Sequence, residues 1–380
     1  MNKILITGGA GFIGSNLSLF LHNKGYNITV FDNLSPQIHG DEPEKTSFFY
    51  NSIKNKIQFI KGDIRNYKEL ERVIKGQEIV IHLASETGTG QSMYEIVKYS
   101  ETNIIGTSNL LEILTKKKHS VNKIVLASSR AVYGEGKYQC IVHGIVFPRE
   151  RERKNMIKGD FECKCPQCNK TVFPIATSED SLINPISVYA STKYTQELLV
   201  KNISHAINIP YSILRFQNVY GPFQSLSNPY TGILSIFSSL ILSNSNINIF
   251  EDGKESRDFI FIDDVVESIY LCVTNKNSNN NIFNVGTGNP ISVESVAKVL
   301  FNTYQKAYKF KISSNFREGD IRHNYSDISK IKNILKFSPK INFANGIDIF
   351  SKWVIANNST SDSSKFNKSL LELKKRKLFQ

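Results

Sequence analysis

The chain has 380 residues, 40% of them hydrophobic, with five cysteines and a formal net charge of +13. That is enough apolar material for one large core and a smaller attached lobe, and no apolar run approaches the ~20 residues of a membrane span, which excludes disordered and membrane-spanning classes. The positive charge is scattered, with short clusters only at 116–118, 149–154 and 374–377, so it reads as solvated basic faces and not as a nucleic-acid surface.

Met1 runs straight into Lys3-Ile-Leu-Ile6, a short apolar run suited to a buried parallel strand, without a leader-like segment. A soluble cytoplasmic protein is therefore expected. The strand runs into Thr7-Gly-Gly-Ala-Gly-Phe-Ile-Gly14 and then into a helical pattern carrying Phe12, Ile13, Leu17, Phe20 and Leu21. Gly8, Gly11 and Gly14 permit a tight turn and close approach of the backbone to a pyrophosphate, and the helix start at Phe12 and Ile13 offers free amides. A second strand, Ile28-Thr-Val-Phe31, ends in Asp32 and Asn33. A carboxylate there suits ribose hydroxyls and repels a 2′-phosphate, so the expected cofactor is NAD and not NADP. The plain alternative is a glycine-rich turn that binds nothing.

Residues 35–55 are mostly polar and read as a long surface loop. Strands follow at Ile57-Gln-Phe-Ile60, Ile79-Val-Ile81 and Ile124-Val-Leu126, alternating with helical patterns, which predicts an α/β, doubly wound Rossmann sheet. Lys123-Ile-Val-Leu-Ala-Ser-Ser129 ends in two hydroxyls at a strand's carboxyl end, where ligands sit in open α/β sheets. Ser129 can donate to a substrate oxygen. Tyr189 and Lys193, four residues apart, share one face of a helix. An ammonium beside a phenol lowers its pKa toward that of a working general base. In isolation such a pair is an ordinary solvated helix face. Downstream of the glycine segment and a serine-ending strand, it points to hydride chemistry on an alcohol.

Between these elements lies an insertion, about 136–178, with Cys140-Ile-Val-His143 and, about two dozen residues on, Cys165-Pro-Gln-Cys168. Two knuckles of this spacing predict a structural zinc site with ligands Cys140, His143, Cys165 and Cys168, and with Gly144 and Asn169 in the tight turns. Cys163 is an alternative ligand, and reduced surface cysteines are the plain alternative. Four protein ligands leave no open position, so the metal orders a loop too poor in apolar residues to fold alone, as a cap on the site or a contact to a second subunit. Cys272, in an apolar helical stretch, reads as core. The expected division is 1–220 (with the insertion) as the NAD-binding domain, 221–255 and 287–340 as a discontinuous substrate-binding lobe, 256–286 as a return to the first domain, and 341–380 as a C-terminal helix and tail. Residues 357–364 read as a polar linker, and 370–379 as a short docked helix or a disordered end.

Over about residues 1–340 the sequence resembles the extended short-chain dehydrogenase/reductases that modify nucleotide sugars. The resemblance is carried by the glycine segment, Gly62-Asp-Ile64, His82-Leu-Ala-Ser85, Asn103, Ser128-Ser129, Tyr189 with Lys193, Leu214-Arg-Phe-Gln-Asn-Val-Tyr-Gly-Pro222, Arg257-Asp258 and Arg317-Glu-Gly-Asp320. It implies that Asp63 and Ile64 flank adenine, that Leu83, Ala84, Ser85 and Asn103 serve the cofactor, and that Asn218, Arg257, Arg317 and Asp320 hold a nucleotide-diphosphate sugar. It also implies a homodimer. Dehydratases of the family carry an acid pair after the catalytic serine or threonine, whereas this chain has Arg130-Ala131. A 4-epimerase needs no such pair. The segments 84–95, 127–136 and 217–232, with the cysteine-bearing insertion, resemble the dTDP-L-rhamnose 4-epimerase group. Thr87 replaces the lysine typical of UDP-glucose 4-epimerases. The expected activity is therefore NAD-dependent 4-epimerisation of dTDP-L-rhamnose. A UDP-hexose 4-epimerase is the alternative in the same class, and a regulatory protein binding through the zinc module is the alternative in another.

Overall fold

The computed structural model describes residues 2–226, 228, 230, 232–357 and 363–379, with the side chains of 363–367 left aside. Seven strands, β1 (Lys3–Thr7), β2 (Asn27–Asp32), β3 (Gln58–Lys61), β4 (Ile79–His82), β5 (Lys123–Ser129), β6 (Tyr211–Phe216) and β7 (Asn281–Val285), form one parallel sheet in the order β7-β6-β5-β4-β1-β2-β3. The chain order reverses between β1 and β4, the switch point at which α/β sheets bind ligands.

Alternation along each strand divides the core between two faces. Ile4 and Ile6 of β1, Ile79 and Ile81 of β4, and Val125 of β5 pack with Leu17, Leu21, Val265 and Ile269. Those last four belong to the helices Phe12–Asn23 and Ile262–Thr274. Leu5, Val80, Ile124 and Leu126 face the other way, against Leu70, Leu110 and Val200. These three come from the helices Tyr67–Ile74, Gly106–Lys116 and Val188–Ala206. Both faces of every central strand are covered, which is why the strands read as unbroken apolar runs.

The strand Ser256–Phe261 departs from the expected return to the first domain. It pairs in parallel with Asn218–Tyr220 and His323–Asn324 and antiparallel with Pro290–Ser292, in a small separate sheet. Only the following helix and β7 rejoin the seven-stranded sheet. An apolar run states burial and not the sheet in which a strand is buried. Residues 35–55 also differ from expectation, forming the short helices Pro36–His39, Pro43–Thr46 and Phe48–Ile53. Proline begins two of them, the Ser47 hydroxyl caps the third by accepting from the Tyr50 amide, and Phe49 and Ile53 are buried.

The insertion holds a three-stranded antiparallel sheet of Tyr138–Cys140, Gly144–Val146 and Phe173–Pro174, and a helix, Arg153–Ile157. Its end is stitched to the lobe: the Thr177 amide donates to Tyr325 O (3.0 Å), and the Asp327 amide to Thr177 O (2.9 Å). The expected polar linker falls largely outside the described residues. Beyond it, the helix Ser363–Lys375 leads to Phe379, which bridges to Arg317 and packs its ring 5.0 Å from Phe250.

Candidate active site

The carboxyl ends of β1, β2, β4, β5 and β6 open on a cavity of about 400 Å³ lined by residues of both sequence signatures. Gly8, Gly11, Phe12, Ile13, Gly14, Asp32, Asn33, Ile64, Leu83, Ala84, Ser85 and Thr87 line it together with Ser129, Tyr189 and Lys193. Gly8 has φ +69°, and a Cβ there would stand 2.6 Å from the Ala84 amide nitrogen. A Cβ on Gly14 would stand 2.4 Å from Gly8 O. Both positions therefore exclude a side chain. The helix that begins at Phe12 has no side-chain cap, so its first-turn amides remain available to an anion.

Asp32 accepts from the amides of Ala10 (3.0 Å) and Leu34 (2.9 Å). Burial nevertheless dominates and pushes its carboxyl up to about 6. His39 Nε2 stands 3.8 Å from Asp32, and burial holds that imidazole down at about 4, so it is neutral and no counter-ion. The site thus offers ribose hydroxyls a carboxylate whose two oxygens each already accept one backbone amide.

The helix Val188–Ala206 starts where the Ser187 hydroxyl accepts from the Ala190 amide (3.2 Å), which places Tyr189 in its first turn and Lys193 one turn later. Continuing down that face, Glu197 receives both Nε (2.9 Å) and Nη2 (2.7 Å) of Arg215 and a hydrogen bond from Ser128. The expected acidification of Tyr189 by Lys193 needs correction. Burial raises the Tyr189 phenol above its ordinary value, against lowering by the Ser129 hydrogen bond and the Arg130 charge. Burial also lowers Lys193 to about 7, with Glu197 opposing. Desolvation penalises both charged forms and outweighs their spacing.

Several expected site residues do not line the cavity. Asn103 is fully buried in a π-helical turn, Ser100–Ile105. Its carboxamide oxygen accepts from the Glu86 amide (2.8 Å) and the Ser85 hydroxyl (3.0 Å), and its Nδ2 donates to the Thr192 hydroxyl (2.9 Å). It ties the Ser85–Glu86 loop to the helix of Tyr189 and touches the cavity only through them. Asp63, between the lining residues Gly62 and Ile64, accepts from Asn33 Nδ2 (3.0 Å) and Arg65 Nη2 (2.8 Å). Asn218 accepts from Arg130 Nε (2.9 Å), and Arg257 Nη1 donates to the carbonyls of Ser256 (2.8 Å) and Arg322 (2.9 Å). Arg317 stacks its guanidinium 4.8 Å from the Phe250 ring and, with Asp320, lines a small second pocket. Its Nε is enclosed without a hydrogen-bond partner.

Sequence reasoning missed Gln224, Asn228 and Tyr230, which line the cavity from the segment after Tyr220, and Gln37 and His39 from 35–55. A polar and aromatic run between a strand and a helix was the available signal for the first three. Asp258, read only as a motif residue, is fully buried and accepts from Thr287, Gly288 and Ser326, clasping two segments of the lobe to its own strand.

In the insertion, the ligand atoms of Cys140, His143, Cys165 and Cys168 all lie within 4.8 Å of one another. Cys140 Sγ is 3.7 Å from Cys168 Sγ and 3.7 Å from His143 Nδ1, and Cys165 Sγ is 3.5 Å from His143 Nδ1. A tetrahedral centre with bonds of about 2.3 Å to sulfur and 2.0–2.1 Å to nitrogen has edges of about 3.8 and 3.5 Å, so the donor set fits a metal. Gly144 and Asn169 have φ +70° and +58°. Cys163 lies apart, its thiol donating to the Tyr138 hydroxyl (3.3 Å). The module is fastened to the lobe by buried charge. Arg151 donates to Glu135 (3.2 Å), Glu251 (2.9 Å) and Asp320 O (2.7 Å). Arg322, with no exposed surface, donates to Glu162 (2.6 Å), Glu251 (2.9 Å) and Asp252 (2.7 Å).

Residues 4–147 and 166–286 match the NAD dependent epimerase/dehydratase family. The chain is 36% identical over 354 residues to the dTDP-L-rhamnose 4-epimerase of Burkholderia thailandensis, spanning 93% of this chain and 94% of that protein. Among solved structures, it is similar to the UDP-glucose 4-epimerase of Thermotoga maritima with UDP-glucose, at 29% identity and a TM-score of 0.75, over 93% of this chain and 99% of that one. It is also similar to the UDP-glucuronic acid 4-epimerase of Bacillus cereus in complex with UDP-glucuronic acid and NAD, at 26% identity and a TM-score of 0.75, over the same shares.

Proposed function

The chain belongs to the NAD-dependent epimerase/dehydratase family, and from that premise we propose that it is a nucleotide-sugar 4-epimerase that takes dTDP-L-rhamnose to dTDP-6-deoxy-L-talose. The observation that carries this reading is one cavity lined both by the glycine segment with Asp32 and by Ser129, Tyr189 and Lys193. Arg130 and Ala131 follow Ser129, so the acid pair of a dehydratase is missing. NAD would be held by Gly8, Gly11, the Phe12 and Ile13 amides and Asp32, and when bound it accepts the C4 hydride and returns it. Tyr189 takes the C4 hydroxyl proton through its phenolic oxygen and hands it back after the ketosugar has turned. Ser129 donates to the C4 oxygen, and Lys193 lines the same cavity one helical turn from the phenol. Arg317 and Asp320 serve the nucleotide diphosphate and sugar from a substrate lobe built of 221–255 and 287–340, and Asn218 and Arg257 join them from the strands Asn218–Tyr220 and Ser256–Phe261 that pair beside it.

The insertion is proposed to hold a structural zinc on Cys140, His143, Cys165 and Cys168, with the fit of the donor spacings as support. The buried charges of Arg151 and Arg322 favour the cap role, since they fasten the module to the strip 316–322 that carries Arg317 and Asp320. A homodimer is proposed through the segment 96–105 and the helix Val188–Ala206, where Ile96, Val97, Ile105 and Leu198 stand exposed. Incubation of the purified protein with dTDP-L-rhamnose, followed by proton NMR, tests the substrate. The talo epimer should appear reversibly without added reductant. Turnover of UDP-hexoses alone would move the assignment to that class, and turnover of neither would refute the epimerase reading.

A further inference from the structure

Six arginines around the site and the insertion fall into two kinds. Arg151, Arg215 and Arg322 each meet carboxylates at 2.6–3.2 Å. Among the described residues, no carboxylate reaches salt-bridge distance of Arg130, Arg257 or Arg317. Two of these three were expected at the substrate. Arg130 was not: in the sequence it serves only to exclude a dehydratase. Yet it follows Ser129 directly, at the start of the turn Arg130–Tyr133 on the end of β5. Its Nε is fixed on Asn218 Oδ1 at 2.9 Å, while its Nη1 is sealed from solvent and meets no acceptor.

The groups whose charge acts on it are Arg257, Asp320, Tyr189 and Glu135. Its bond to Asn218 joins it to a proposed diphosphate residue, and it stands one residue on from Ser129. Burial pulls its guanidinium down to about 9, with Arg257 adding repulsion. Such a cation is costly to enclose unless an anion joins it, and the free edge of a guanidinium is shaped for phosphate oxygens.

Resting on the epimerase reading, we propose that Arg130 is a substrate-contacting residue whose free Nη1 edge binds the sugar-linked phosphate of the nucleoside diphosphate, with Asn218 holding the fork in place. Binding to the purified NAD-loaded enzyme is measured by calorimetry for dTDP, dTMP, UDP and UMP. Wild type should favour a diphosphate over its monophosphate. Arg130→Ala should lose roughly ten- to hundredfold in diphosphate affinity, the range for a hydrogen bond to a charged group, and leave the monophosphate unchanged. Arg130→Lys should fall between. NAD content should be unaltered. Because the Arg130 charge holds the Tyr189 phenol down, the acid limb of kcat/KM should move to higher pH in Arg130→Ala, a shift that a packing role does not produce. If alanine prevents folding, Arg130→Gln carries the same comparison. An Arg130 variant with the wild-type diphosphate preference and an unmoved pH profile would overturn the assignment alone. A wild type indifferent to the second phosphate would overturn it together with the epimerase reading.

Discussion

Tyr189 and Asp32 are both ionisable groups whose burial opposes the charge that their proposed roles require. Tyr189 is raised above its ordinary value in the cofactor-free protein, so kcat/KM should climb with pH through neutrality and not plateau there. Tyr189→Phe should cut turnover by about 10²–10⁴, the usual worth of a positioned acid–base group, with NAD still retained on the purified protein. Undiminished turnover excludes Tyr189 as the base. For Asp32 the sign runs the other way from a salt-bridged carboxylate. Its folded pKa is raised to about 6, so the native state holds more protons than the unfolded chain between the two values. The stability of the cofactor-free protein therefore falls as pH rises from about 4 to about 6. Ribose binding wants the ionised carboxylate, so NAD affinity should rise over that same window. Fluorescence titration of NAD at several pH values checks this, with Asp32→Asn expected to bind weakly and without the pH slope. The identities of both residues were legible in the sequence. Their pKa directions were not, because spacing along a helix shows which charges are near and not how much water they lose.

At the scale of elements, the insertion and the strip 316–322 act as one unit. Arg151 is 5% exposed and faces Glu135 and Glu251, themselves 1% and 5% exposed. Removing one partner from such a group leaves buried charge uncompensated, so Arg151→Met should destabilise by about 3–5 kcal/mol, read as a shift in the urea midpoint. Metal analysis should find one zinc per chain. Cys165→Ser should lose it, and limited proteolysis should then cut within 136–178 while NAD stays bound. A metal-free variant with unchanged protease resistance would show that the module orders itself without zinc. The knuckle spacing in the sequence named the four residues whose side chains the structure gathers within 4.8 Å, since local turns fix Cys-x-x-His and Cys-x-x-Cys whatever lies around them. Nothing local indicated Arg322: its partners Glu162, Glu251 and Asp252 come from two distant segments, and a lone arginine reads as surface charge.

Over the whole molecule, the seven-stranded sheet, the two helical layers and the switch-point cavity support the family membership, and among the described residues no helix is long and apolar enough to cross a membrane. Ile96, Val97 and Ile105 are more than half exposed, beside Leu198 on the helix that carries Tyr189. Ile105→Glu should convert a dimer to a monomer in light scattering after gel filtration; a wild-type monomer would remove the dimer proposal outright. The sequence alone determined the central strands, the glycine turn, Asp32, the pair Tyr189 and Lys193, and the metal-ligand spacing. All are set by short-range pattern: a buried strand must be apolar, a close backbone approach must be glycine, and residues four apart on a helix share a face. Only the tertiary structure decided that Ser256–Phe261 leaves the main sheet, that Asn103 and Asp63 do not line the cavity, and that Arg130 joins Asn218. Those outcomes depend on contacts between residues tens to hundreds of positions apart, where desolvation and pairing, and not local preference, set the energy.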